Sequence, residues 1–155
     1  MTGTALGANQ QTSRGRVWAW AMWDWGTQPF ATVITTFVFS VYITSPAFGD
    51  TNFTSQSLSL STALAGLVVA LVAPVLGQNS DRTGRTVRNL RRLTWTLAAL
   101  SASLFLVRPE PAYLWLGLGI LAVGSIVAEV ANVNYYSLID EVATQDDVGR
   151  VSGFG

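Results

Sequence analysis

Two sets of polar side chains recur at helical spacing inside otherwise apolar sequence. Asp24, Gln28, Thr32 and Thr35 fall at i, i+4, i+8 and i+11, which places them on one face of a helix. Ser125, Glu129, Asn132 and Tyr136 do the same at i, i+4, i+7 and i+11. A carboxylate at the centre of a membrane helix costs roughly 2.5–3.5 kcal/mol, so it survives where it faces protein or a water-filled cavity. The chemistry such stripes support is non-covalent: hydrogen bonds to a polar solute, and uptake and release of a proton at Asp24 or Glu129. Asp24, Gln28, Thr32, Glu129, Asn132 and Tyr136 are therefore the candidate substrate and proton pathway. Plainer roles stay open for both carboxylates. Asp24 could cap a helix beginning at Gly26, with Pro29 in its first turn. Glu129, near a span end, could snorkel or pair with a loop arginine.

Covalent chemistry has little to work with. The chain contains no Cys and no His, which removes a disulfide framework, thiol catalysis, a Cys/His zinc site and a histidine base. No G-x-S-x-G nucleophile elbow is present. An enzyme, a metal site and a cofactor are all unexpected. A formal net charge of zero gives no reason to expect a nucleic-acid partner.

The elements that must position the stripes are four long apolar stretches, about 27–48, 58–76, 93–107 and 112–133. Most approach the ~20 residues that carry a helix across ~30 Å of hydrocarbon; the third is the shortest. Inside lipid only a helix satisfies its own backbone along such a run. Half the residues are hydrophobic and 12% are charged, against about 25% charged in an average soluble domain. The fold class is all-α, polytopic and transmembrane, with the lipid bilayer as its first partner. Small residues of the second stretch, Ala63, Gly66 and Ala70, suit helix packing of the small-xxx-small kind.

Every basic residue is Arg. Arg14 and Arg16 precede the first stretch, and Arg82, Arg85, Arg88, Arg91 and Arg92 crowd the segment between the second and third. The positive-inside rule makes the N-terminus and that segment cytoplasmic, in an integral membrane protein. Trp18, Trp20, Trp23, Trp95 and Trp115 lie near expected span ends, where indoles favour the interface. Residues 1–16 lack an apolar signal core and read as a disordered cytoplasmic tail.

The arginine-rich segment, GQNSDRTGRTVRNLRR, reads as a loop with the pattern G-x-x-x-D-R-x-G-R on Gly77, Asp81, Arg82, Gly84 and Arg85. A loop that is basic only for topology accounts for the arginines but not for Asp81 or the framing glycines. The pattern resembles the loop between helices two and three of the major facilitator superfamily, where it braces the cytoplasmic gate. Asn79 and Thr86 depart from the usual motif. A second segment, WAWAMWDWGTQPFATVITTFVF from Trp18 to Phe39, resembles the first helix of the autophagy-related vacuolar amino-acid effluxers and their bacterial relatives. The tail YYSLIDEV…GRVSGFG resembles the end of that family's fourth helix and the start of its fifth. Glu141 there aligns with the acid of the family's motif.

The resemblance implies the first four helices of a twelve-helix major-facilitator fold, with the start of a fifth near 148–155. In that superfamily helices one and four line the central cavity, and those two carry the polar stripes here. The function so implied is that of a secondary transporter working by alternating access and exporting small solutes such as amino acids. A small-molecule substrate, protons and the remaining C-terminal helices would be its partners. Gly77, Asp81, Arg82, Gly84, Arg85 and Glu141 would form the gate motif. Asp140, Glu141, Asp146 and Asp147 form an acidic segment after the fourth stretch, read as a solvated turn or as an ion-pair latch to the basic segment. Two other readings stay open: a complete four-helix transporter that dimerises, and a membrane scaffold subunit without flux.

Overall fold

The computed structural model describes residues 14–83 and 86–138. They are helical, with no strand among them. Helix α1 (Arg14–Pro29) runs without a break into a wide-turned π segment (Phe30–Phe39) and then α2 (Ser40–Ile43), so the first span is one continuous rod. A 3₁₀ turn (Pro46–Phe48) leads to α3 (Thr51–Thr83). Helix α4 (Thr86–Ser103) comes next and ends in a 3₁₀ turn (Leu104–Leu106). A further 3₁₀ turn (Pro111–Tyr113) enters α5 (Leu114–Tyr136).

Several boundaries differ from the sequence reading, each for a physical reason. The segment expected to be a loop from Gly77 to Arg92 is mostly helix: α3 continues through Gly77, Asp81 and Arg82, and α4 starts at Thr86. Gly is merely costly inside a helix, about 1 kcal/mol against Ala, and nothing from 77 to 83 forbids one. Asp81 therefore stands in the last turn of α3. Arg82 sits in that same turn, where the helix dipole favours a cation. Gly84, Arg85, Glu141 and the expected fifth-helix start near 148–155 lie outside the described residues. The first rod begins at Arg14, inside the expected tail and well before the expected span start at Thr27. Asp24 is thus interior to α1 and caps nothing.

The π segment has a cause in the sequence. Pro29 lacks an N–H, and its ring crowds the carbonyl four residues back. Helices commonly answer such a break by re-registering their hydrogen bonds. Here Thr35 Oγ1 donates to the Phe30 carbonyl five residues earlier at 3.0 Å, the spacing of the wider turn.

Two apolar clusters hold the rods together, one near each end. Toward the Gly49 end, Phe39 and Ile43 of the first rod pack with Phe48, Leu104, Val107, Leu114, Leu118 and Leu121. The Tyr42 hydroxyl donates to the Val107 carbonyl there at 3.0 Å. At the opposite end Trp20, Ala21, Leu90, Ala131, Tyr135 and Leu138 form the second cluster. Along α5 the buried seam runs Leu114, Gly117, Leu121, Gly124, Ala131 and Tyr135. Its glycines allow close approach: a Cβ at Gly124 would lie 2.5 Å from Phe30 Cζ, and one at Gly117 2.7 Å from Ile43 Cδ1.

Helix α3 meets α5 through Thr54, Ser57 and Ala65, all buried, and Ser61 Oγ donates to the Leu118 carbonyl at 3.3 Å. Ala63, Gly66 and Ala70, expected to pack, are instead exposed. Two helices, Thr51–Val72 and Pro111–Tyr136, are long and apolar enough to cross a membrane. Only 11% of the apolar window in the first is buried within the protein, so it is no soluble core helix. Leu60, Leu64, Leu67 and Leu71 repeat along its exposed surface, a face that water would penalise and lipid would not. Among the described residues, the first rod and α4 do not meet that measure.

The start of α3 is fixed by a cap that the sequence reading passed over. Gly49 takes φ +128°, a conformation that L side chains rarely adopt. Asp50 comes next, and its Oδ1 accepts from the Asn52 and Phe53 N–H groups, both at 3.0 Å. Replacing Asp50 by Ala is expected to cost about 1 kcal/mol. Denaturant titration in detergent micelles, followed by helical circular dichroism, measures it. An unchanged midpoint would mean that water caps the helix equally well.

Candidate functional site

The candidate site lies where the first rod meets α5 at the end opposite Gly49. Apolar periodicity places α1 there, and three aromatic rings fix it. Tyr135 is 1% exposed and lies between two indoles. Trp20 stacks on it at 4.5 Å with 12° between planes, and Trp23 at 4.7 Å with 25°. The Trp20 Nε1–H donates to the Tyr135 carbonyl at 3.4 Å. The Trp23 Nε1–H donates to Thr94 Oγ1 at 2.8 Å, and Thr94 in turn donates to the Leu90 carbonyl at 2.8 Å. One turn of α1 therefore ties together α4 and α5. Trp20 and Trp23 are packed within the protein, while Trp18, Trp95 and Trp115 are exposed.

Asp24 is buried, 9% exposed, on this same turn. Gln28 Nε2 donates to its Oδ1 at 3.5 Å, a long bond. The hydroxyl of Thr27 is engaged with the Trp23 and Asp24 carbonyls, both at 3.1 Å. The Tyr135 hydroxyl is buried and has no hydrogen-bond partner among the described residues, and it lies within electrostatic reach of Asp24. A carboxylate and an unpartnered phenol thus share one low-dielectric corner. The two groups are not bonded to each other, and a solute amine or hydroxyl reaching this corner would find an acceptor in the carboxylate.

The remaining sequence candidates separate. Gln28 and Thr32 are exposed on the first rod; the π turn delays the rotation of every residue after Pro29, so the stripe read at α spacing does not stay straight. On α5, Asn132 is half-buried while Glu129 and Tyr136 are exposed. Tyr136 touches the cluster only through an edge contact to Tyr135 at 5.4 Å. Asn134, on the buried side, donates to the Val130 carbonyl at 2.8 Å. The structure brings Asp24 and Gln28 together and leaves Glu129 and Tyr136 facing away from the bundle. Gly77, Asp81 and Arg82 lie together in the last two turns of α3.

Sequence reasoning missed Tyr135, taking its neighbour instead. The signal was available: Gly117, Gly124 and Ala131 recur every seven residues, and one further turn along that seam falls on Tyr135. Among the described residues, no group of three or more Asp, Glu, His or Cys side chains comes together that could hold a metal ion.

Comparison with known proteins gives one curated relative. Over 143 residues, 88% of this chain, the sequence is 27% identical to the uncharacterized MFS-type transporter YxiO of Bacillus subtilis (strain 168). The chain spans about a third of that relative's length, the matched part being 33% of it. No family model matches the chain, and no solved structure matches it significantly.

Proposed function

We propose that this chain is part of a secondary active transporter of the major-facilitator type, working by alternating access and exporting small solutes such as amino acids. The observation that carries the reading is the likeness to an MFS-type transporter along 88% of the chain. A helical bundle whose apolar faces call for lipid and whose interior holds Asp24 supports it. A transporter needs polar groups at the junction of helices that can be exposed to each side in turn, and inverted-repeat transporters place them between their halves. Gln28, Thr32, Glu129 and Tyr136 are exposed among the described residues, as polar groups that line a solute path would be. The N-terminus and the α3–α4 junction are assigned to the cytoplasm by their arginines. In this reading Asp81 and Arg82, with Gly77, Gly84, Arg85 and Glu141, brace the cytoplasmic gate.

Flux is the direct test. The longest reading frame carrying this sequence, reconstituted into liposomes, is expected to give saturable exchange of one or more of a panel of amino acids. Asp81→Asn should slow that exchange while sparing insertion, since a gate contact can bias one state by about 1–3 kcal/mol. The 155-residue chain alone should insert without transporting. Saturable flux by that chain alone would favour a dimer of four-helix units, and no flux of any solute in either form would favour a scaffold.

Orientation has its own check. A reporter fused near Asn52 should read outside and one near Asn89 cytoplasmic. The reverse pattern would overturn the assignment of both junctions.

A further inference from the structure

Helix α4 carries a basic and aromatic face that none of the other described residues covers. Arg88, Arg91, Arg92 and Trp95 fall at i, i+3, i+4 and i+7, within about 100° of one another around a helix. All four are exposed, Trp95 by 73%. The buried residues of the same helix, Thr86, Leu90 and Leu97, lie on the opposite side against the bundle. The arginine face therefore points away from the protein. No ion pair to Arg88, Arg91 or Arg92 occurs among the described residues. Beyond Trp95 the same side of the chain continues through Ala98, Ala99 and Ala102 to Phe105 and Leu106, all exposed and apolar, with no charge before Arg108. Between Arg92 and Arg108 that stretch spans about 24 Å, and long arginine side chains extend the reach of their charge toward the interface.

We propose that Arg88, Arg91, Arg92 and Trp95 form a binding site for the headgroup of an anionic phospholipid. Three guanidiniums on one face present several N–H donors to a phosphate, which they can engage in bidentate fashion. The indole sits one turn deeper, at the depth where its ring lies along the first acyl carbons and its N–H meets the ester region. The apolar surface from Ala98 to Leu106 receives the acyl chains. A zwitterionic lipid offers the same phosphate but cancels it with its own cation, so the site selects net negative charge. The inference rests on the bilayer-spanning reading of the helices, and the test separates the two.

The chain is reconstituted into nanodiscs of phosphatidylcholine containing a minor fraction of brominated phosphatidylglycerol, or of brominated phosphatidylcholine with the same acyl chains. Quenching of Trp95, taken as the difference between the chain and its Trp95→Phe variant, reports which lipid occupies the face. An anionic surface attracts each nearby arginine about fivefold, so phosphatidylglycerol is expected to be enriched at least about fivefold beside Trp95. Raising the salt should reduce that enrichment. Arg88→Gln, Arg91→Gln and Arg92→Gln together should remove it, and the matching three Lys substitutions should keep most of it, which guards against a folding defect in the glutamine variant. Equal quenching by both lipids, or enrichment untouched by the glutamine variant, overturns the proposal. Enrichment that emerges only after Asp140, Glu141, Asp146 and Asp147 are neutralised also overturns it, because the acidic segment then covers the arginines. Release of the chain from the bilayer by alkaline washing would overturn the membrane reading itself and this site with it.

Discussion

Trp20→Ala is expected to cost about 3 kcal/mol of stability, the lower part of the range for deleting a large buried aromatic side chain. Trp20 is 7% exposed and stacks on Tyr135, and its Nε1–H holds the Tyr135 carbonyl. Truncation removes the stacked ring, opens a void at the junction of α1 and α5, and leaves that carbonyl without its side-chain donor. Trp18, two residues away and 64% exposed, supplies the control, since exposed substitutions away from such contacts usually stay within about 0.5 kcal/mol. Tyr135 separates ring from hydroxyl. Tyr135→Phe keeps both stacks and deletes only a buried group that has no partner among the described residues, so it should be neutral or slightly stabilising. Tyr135→Ala should match Trp20→Ala. Midpoints of denaturant titrations in micelles give all four values, and equal losses for Trp18→Ala and Trp20→Ala would refute the clasp.

The class of fold was legible because membrane helices announce themselves by uninterrupted apolar length. The long α3 and α5 fall where the second and fourth stretches were read. Their junctions were not legible. Between Gly77 and Arg92 the composition is that of a turn, yet helix formation depends on backbone hydrogen bonds that every residue there can make. The same limit applied to the first rod, where Arg14 to Gly26 lacks a continuous apolar run but is held by Trp20 and Trp23 against distant parts of the chain. Such contacts join residues more than seventy positions apart, and no local window contains them.

The candidate site was legible in part for a geometric reason. Polar residues on α5 were grouped by their own spacing, which identifies a face but not what that face meets. The seam of Gly117, Gly124 and Ala131 determines what is buried, and it runs through Tyr135. One residue along a helix is a rotation of about 100°, enough to exchange the interior for the exterior. On the first rod the polar spacing was correct up to Pro29 and lost beyond it, because the π turn has a different period. Asp24 lies before the break, which is why it stands where a helical reading puts it, next to Gln28.

Asp24→Asn is expected to lower solute flux about a hundredfold in the longest frame carrying this chain, equivalent to about 2.7 kcal/mol on the transport barrier. The substitution keeps the size of the side chain and its capacity to accept from Gln28, and removes only charge and proton exchange. Asp24 is buried in the interior of α1, on the turn that packs against Tyr135, so water cannot readily replace the lost function. A carboxylate kept in such a place carries a cost of a few kcal/mol that packing alone would not require. Gln28→Leu, which deletes the long 3.5 Å bond and leaves the carboxylate, should reduce flux only several-fold. Glu129→Gln provides the contrast between the two stripes, because Glu129 is exposed on the far side of α5 from the seam. If Glu129→Gln abolished flux while Asp24→Asn left it intact, the working site would lie on the uncovered face of α5, and the aromatic corner would be packing alone.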